Sequence, residues 1–164
     1  MKIGIISDTH DHHANVLKAI EVFNEQRIEY VLHAGDMVSP FTANAFAAVK
    51  NAKFIAVFGN CDGEKVMLKE TIESFGGEVH PQSYTGQIDG KEIFMTHIPA
   101  TLDALAQSGN FDLIVYGHTH NQLTSKVGQT LVINPGETTD WVTGRSTIVI
   151  LETKNMNAEV IELG

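Results

Sequence analysis

Only one of the 164 residues is a cysteine, Cys61, so no disulfide within the chain can hold a fold together. Proline occurs four times, and no stretch is rich in proline, serine or one charge, which excludes a linker-built or low-complexity chain. Basic residues are scarce: Lys+Arg number 11 against 20 Asp+Glu, a formal net charge of −9. That balance excludes non-specific binding to nucleic acid or to an anionic membrane surface, both of which need a basic face. No apolar run approaches the ~20 residues that a membrane helix needs. The apolar start from Met1 stops at Asp8, too short for a secretory core, so the chain reads as cytoplasmic.

What remains is an ordinary soluble mixture, 43% apolar and 19% charged. At roughly 150 residues per domain, the length predicts one domain, 1–164, with a sizeable core. Histidine is plentiful by contrast: there are 8, more than tryptophan, tyrosine and cysteine together. Histidine is the commonest metal ligand and the usual acid or base near neutral pH, so the positions of these eight matter most.

Short runs rich in Ile, Val and Phe, closed by Gly or Asp, predict buried strands at Lys2–Ser7, Tyr30–Ala34, Phe54–Phe58, Glu92–Thr96, Leu113–Tyr116, Leu131–Asn134 and Thr147–Leu151. Helices are expected at Asn15–Gln26, whose Val16, Ile20 and Phe23 recur at helical spacing, and at Phe41–Val49 behind Ser39-Pro40. Two more are expected at Val66–Phe75, before Gly76-Gly77, and at Leu102–Gln107. The opening therefore reads as βαβαβ with a parallel sheet. Asp89-Gly90, Gly128 and Lys154-Asn155 mark three hairpins, so the later chain reads as mostly antiparallel. The expected architecture is two packed sheets with helices outside.

The polar residues collect where these strands end. Strand one runs into Asp8-Thr9-His10 and strand two into Gly35-Asp36. Strand three runs into Gly59-Asn60-Cys61-Asp62, and two later strands run into Thr96-His97 and Gly117-His118-Thr119-His120. In parallel α/β sheets the C-terminal strand edge is where ligands bind. Asp8, Asp36 and Asn60 offer oxygen; His10, His97, His118 and His120 offer nitrogen. Seven ligands exceed the four of one tetrahedral zinc site and suit two metals sharing a bridging carboxylate. Mixed O/N ligation without thiolate fits Mn, Fe, Ni, Zn or Co. Each pair alone is commonplace, since Gly-Asp is usually a turn and Asp-x-His often a cap. It is the ordered set that carries the reading.

This set resembles the calcineurin-like metallophosphoesterase superfamily. The chain length, the Ser7-Asp8-Thr9-His10 start, the Gly59-Asn60-Cys61-Asp62 element and the late Asn134-Pro135-Gly136 resemble its small YfcE-like phosphodiesterase branch. The resemblance implies a four-layer α/β/β/α sandwich of two mixed sheets, and two divalent transition-metal ions per chain, manganese foremost. By resemblance, Asp8, His10 and His120 would hold one metal; Asn60, His97 and His118 would hold the other; Asp36 would bridge both. Asp36, Asn60 and His97 would be the residues of catalysis, with a hydroxide between metals ~3.5–4 Å apart as the nucleophile. Two positions depart from the superfamily pattern. Cys61 stands where many members carry a histidine after Gly-Asn, and Ile98-Pro99 follow His97 where relatives often carry Gly and another His.

The expected function is metal-dependent hydrolysis of a small phosphodiester. A phosphomonoesterase with the same site is the nearest alternative, and a non-catalytic protein-binding scaffold of the same fold is another. The scaffold would predict eroded ligands, yet all seven are intact. His33, inside strand two, reads as a buried residue behind the site. Asp62 reads as an orienter of Asn60 and its loop or as a turn cap, and Cys61 as a packing residue or a substrate-side thiol. His12 and His13 read as solvated at the start of the first helix. Trp141 reads as a substrate wall or an oligomer contact, and the late edge strands could pair two copies into a homo-oligomer.

Overall fold

The computed structural model describes all 164 residues, Met1–Gly164. The expected opening is present: β1 (Lys2–Ile6), α1 (His13–Gln26), β2 (Tyr30–His33), α2 (Pro40–Ala45), β3 (Lys53–Val57) and α3 (Lys65–Ser74). A short strand that the sequence did not announce, β4 (Glu78–His80), follows. Next come β5 (Ser83–Ile88), β6 (Lys91–Thr96), α4 (Leu102–Ser108), β7 (Leu113–Val115), β8 (Leu123–Val127) and β9 (Thr130–Asn134). The hairpin of β10 (Thr147–Glu152) and β11 (Asn157–Glu162) closes the chain. Helix α2 is shorter than expected. It gives way to a 3-10 turn at Phe46–Ala48, which seats Phe46 against Phe54 with ring centroids 5.0 Å apart.

The strands form two mixed sheets, ordered β11-β10-β1-β2-β3-β4 and β5-β6-β7-β9-β8. In the first, β1 to β4 are parallel and β10-β11 join antiparallel. The three later hairpins are antiparallel as expected, and the second sheet adds parallel pairing that the sequence did not announce. Its two hairpins are antiparallel, but β6, β7 and β9 at its centre run parallel. Helix α4 supplies the β6-to-β7 crossover, which parallel pairing demands and a local turn signal does not reveal.

Alternation along the strands assigns the layers. Ile3, Ile5, Leu32, Ile55 and Val57 point inward and meet Ile93, Met95, Leu113, Val115 and Ile133 of the facing sheet. Ile6, Val31, Phe54 and Ala56 point outward beneath Val16, Ile20, Phe23, Leu68 and Ile72 of α1 and α3. On the far side, Leu102 and Ala106 of α4 cover Ile114 and Val132. The result is the four-layer α/β/β/α sandwich. No helix is long and apolar enough to cross a membrane.

Candidate metal centre

The ends of β1, β2, β3, β6 and β7 lie together along one rim where the two sheets meet, and the loops there are stitched to one another by backbone. Asp8 N–H donates to Gly35 O and His10 N–H to Asp36 O, both at 3.0 Å, and Gly117 N–H donates to His97 O at 3.1 Å. Asp62 is buried and acts as a clamp. Its carboxylate accepts Asp36 N–H at 3.0 Å, Gly59 N–H at 2.7 Å and Val38 N–H at 2.7 Å, so it ties the Asp36 loop to the Asn60 loop.

Five of the prospective ligands have left-handed backbone: Asp8 (φ 52°), His10 (38°), Asp36 (60°), His118 (67°) and His120 (60°). This conformation costs an L-residue about 1–2 kcal/mol, and such strain persists where the surroundings over-determine it. Two glycines show how tight those surroundings are. A Cβ at Gly59 would collide with the Asp36 carboxylate, and one at Gly117 with Ser7 Oγ and Asp8 Oδ2. The glycine preceding one ligand is thus the space occupied by another.

Three overlapping groups of side chains result, one of them His10, Asp36 and Cys61. Asp8, His10 and His120 bring one donor atom each within 4.8 Å of one another. Asp8, Asp36 and His97 do the same, so the two carboxylates lie between the clusters. On the far side, Asn60 Oδ1 lies 2.9 Å from His97 Nε2 and 2.8 Å from His118 Nδ1. All seven residues predicted from the strand ends therefore converge. His33 does not join them: it points to the outer face, with its ring edge-on to Phe46.

The protonation pattern of this cluster shows what it is built to hold. His97 Nδ1 faces the Ala34 carbonyl at 2.8 Å, which places a proton there and leaves Nε2 facing Asn60 Oδ1 and, at 3.3 Å, Asp36 Oδ2. His120 Nδ1 faces the Glu137 carboxylate at 3.0 Å, leaving Nε2 facing Asp8 Oδ1 at 3.4 Å. His10 Nε2 is buried with no hydrogen-bond partner and points toward Asp8 Oδ1 (3.8 Å) and Asp36 Oδ2 (3.6 Å). Lone pairs opposing lone pairs are unfavourable unless a cation, or an added proton, sits between them. The ionisation of the metal-free site agrees. Burial works to lower the pKa of His97, but the Asp36 carboxylate outweighs it and raises the pKa overall. Burial raises that of Asp8. Burial also works to raise Asp36, yet His97 and the Cys61 N–H hold it below the ordinary carboxylate range. An oxygen and imidazole set with an orphaned, buried nitrogen fits divalent metal ions.

Sequence reasoning missed Glu137. It is fully buried and accepts from His120, from the hydroxyls of Thr139 and Thr143 and from the N–H groups of Val142 and Thr143. Burial works to raise its pKa, but these bonds prevail and hold it at about 2. A carboxylate behind a ligating histidine fixes its tautomer and raises its basicity. The one signal was an acid at the head of the threonine-rich stretch 137–143, which also holds Asp140. Asn134 braces the His118–His120 loop, donating to Gly117 O and Thr119 Oγ1.

On the rim, Trp141 is 64% exposed, and its ring lies 6.4 Å from that of His10 and 5.8 Å from that of His12. His12 caps α1 by accepting Asn15 N–H at 3.3 Å. His13 packs on Phe41, with centroids 4.8 Å apart, rather than standing in solvent. Cys61 is exposed; burial of its thiol and the nearby Asp36 push its pKa up to about 11.

The description of a calcineurin-like phosphoesterase superfamily domain fits residues 1–156. A phosphodiesterase of Methanocaldococcus jannaschii is 43% identical, with 99% of each chain covered. The phosphodiesterase YfcE of Escherichia coli K12 is 29% identical over 83% of this chain and 78% of its own. Among solved structures, an archaeal phosphodiesterase superposes with a TM-score of 0.93 at 42% identity, covering 99% of both chains. Vps29 of Entamoeba histolytica superposes at 0.71 with 20% identity over 99% of both chains, a likeness of fold.

Proposed function

The chain belongs to the calcineurin-like phosphoesterase superfamily, and from that premise we propose that it is a metal-dependent phosphodiesterase working through a dinuclear centre. The observation that carries the reading is the convergence of buried ring nitrogens and carboxylate oxygens at one rim, above all His10 Nε2, which has no hydrogen-bond partner and lies 3.8 Å from Asp8 Oδ1 and 3.6 Å from Asp36 Oδ2. Asp8, His10 and His120 would hold one ion and Asn60, His97 and His118 the other, with Asp36 shared. Manganese heads the candidates, and Fe, Co, Ni and Zn suit the same donors. When bound, such a pair supplies a hydroxide nucleophile at neutral pH and withdraws charge from the phosphoryl oxygens, which is how a chain of net charge −9 accepts an anionic substrate.

The protein's own groups do the positioning. Ala34 O and the Glu137 carboxylate take the Nδ1 protons of His97 and His120 and so aim each Nε2 into the site. Asp62 fixes the separation of Asp36 and Asn60. His10, His12 and Trp141 form a ring-lined wall against which a substrate arm can lie. No imidazole occupies the position of Cys61, and a thiol titrating at about 11 gives up its proton poorly near neutrality. Diesters with good leaving groups are therefore the preferred substrates.

The test is hydrolysis of bis-p-nitrophenyl phosphate against p-nitrophenyl phosphate by chelator-stripped protein, before and after addition of Mn²⁺, Ni²⁺ or Zn²⁺. Metal-restored turnover that favours the diester is expected. Preference for the monoester would make the protein a phosphatase. Binding of two ions with no turnover of either ester would overturn the catalytic reading in favour of a scaffold.

A further inference from the structure

A cavity of about 440 Å³ opens beside Asn60 and His97 and extends away from the metal centre. Its size lies within the range of small-molecule sites, about 300–1,000 Å³. Phe58, Pro81, Phe94 and Ile98 provide apolar walls. Ile98 is one of the two residues that replace the usual Gly-His after His97, and it is 49% exposed, an aliphatic side chain left in the open at the mouth of a polar site. In a chain with 20 acidic residues, none of the 11 that line this cavity is acidic. Its one lysine, Lys65 on the first turn of α3, lies 5.6 Å from the centre of the Phe58 ring and makes no salt bridge. Two other lysines do pair with carboxylates, Lys69 with Glu73 and Lys91 with Asp112. An unpaired cation on an aromatic wall, next to ligands for a phosphoryl-binding centre, is suited to a planar group bearing negative charge.

We propose that this cavity binds one ester arm of the substrate and selects a flat ring system carrying an anionic substituent, the ring packed between Phe94 and Ile98 and the anion met by Lys65. The inference rests on the phosphodiesterase reading for its anchor, since the phosphoryl group would sit at the metal centre while the arm projects past Asn60. It also gives the departure at Ile98 a physical role: a glycine at that position would leave the cavity without this apolar wall.

Calorimetric titration of the manganese-loaded protein with methylphosphonate, phenylphosphonate and 4-carboxyphenylphosphonate tests this without requiring turnover. Phenylphosphonate is expected to bind about tenfold tighter than methylphosphonate, as burial of a ring predicts, and the carboxylate to add a further ~3–5-fold. Lys65→Met should abolish the carboxylate's gain and keep the ring's; Ile98→Asp should reduce the ring's gain. Both side chains are exposed, so neither change threatens the fold. Equal affinities for the three ligands, or preferences that survive both substitutions, would overturn the assignment. Selective binding by a protein that hydrolyses no diester would keep the cavity's specificity and remove the phosphodiesterase. Failure of all three to bind the loaded protein would overturn both.

Discussion

His33 provides a quantitative test of how the rim is assembled. Its side chain is fully buried on the outer face of β2. Nδ1 accepts the Gly35 N–H at 3.1 Å, which leaves the ring proton on Nε2, directed at Thr9 Oγ1 3.3 Å away. The Thr9 hydroxyl in turn donates to Asp36 O at 3.3 Å. A second proton on Nδ1 would oppose the Gly35 N–H, in a fully buried site and with His97 nearby. Burial, and then His97, accordingly lower the pKa from 6.5 to about 3. The sign follows from which state takes the proton. Below pH ~6.5 the unfolded chain binds a proton at His33 and the folded chain does not, so stability is complete above that pH and is lost as pH falls toward 3. At 1.36 kcal/mol per pH unit, the loss is about 2 kcal/mol by pH 5 and about 3 by pH 4. His33→Gln keeps an amide to hydrogen-bond Thr9 and cannot titrate. Urea unfolding of chelator-stripped wild type and His33→Gln at pH 7.5, 6, 5 and 4 isolates the term, because all other titrating groups are shared. The variant should be less stable at pH 7.5, from imperfect packing beside Phe46, and the gap should close by about 2 kcal/mol at pH 5. Parallel pH dependences would refute the buried, neutral imidazole.

Glu137→Gln replaces one acceptor oxygen by a donor amide among five donors, leaving at least one of them unsatisfied; a stability loss of about 1–3 kcal/mol by thermal melting and a ~10–100-fold weaker metal affinity by competition with a chelator are expected. Gly117→Ala drives a methyl into Ser7 and Asp8, so it should weaken metal binding strongly even where circular dichroism shows native secondary structure. Unchanged affinity would mean that the β7 loop yields easily. Cys61→Ala keeps the backbone N–H that holds Asp36 Oδ1 at 2.8 Å and removes only a thiol that titrates near 11, so metal-loaded diesterase activity should stay within about twofold of wild type across pH 6–8. A drop of two orders of magnitude would make the thiol a participant.

The prospective ligands were legible because each lies within one to five residues past the end of a buried strand, and strand ends are marked locally by the change from Ile and Val to Gly, Asp and His. The same alternation explains why His33 could be separated from them. Val31 and His33 share the outer face and Leu32 and Ala34 the inner one, so the imidazole points under the helices while the chain runs on to Gly35 and Asp36 at the rim. What could not be read was set by contacts distant in sequence. The three-residue strand β4 is too short to show a period, and β6, β7 and β9 pair in parallel across a helix and a hairpin. The left-handed backbone at Asp8, Asp36, His118 and His120 lacks its usual marker, since none of the four is glycine. That conformation is imposed from outside, by Asp62 holding two loops together and by neighbouring ligands filling the space beside Gly59 and Gly117. Glu137 belongs to the same class: nothing in 137–143 names His120, and the two meet because β7 and β9 are neighbours in register, Leu113 with Leu131 through Val115 with Ile133. The local pattern therefore names the atoms that could hold a metal, whereas the sheet pairing decides which of their lone pairs face one another. The second property, not the first, makes the cluster a site.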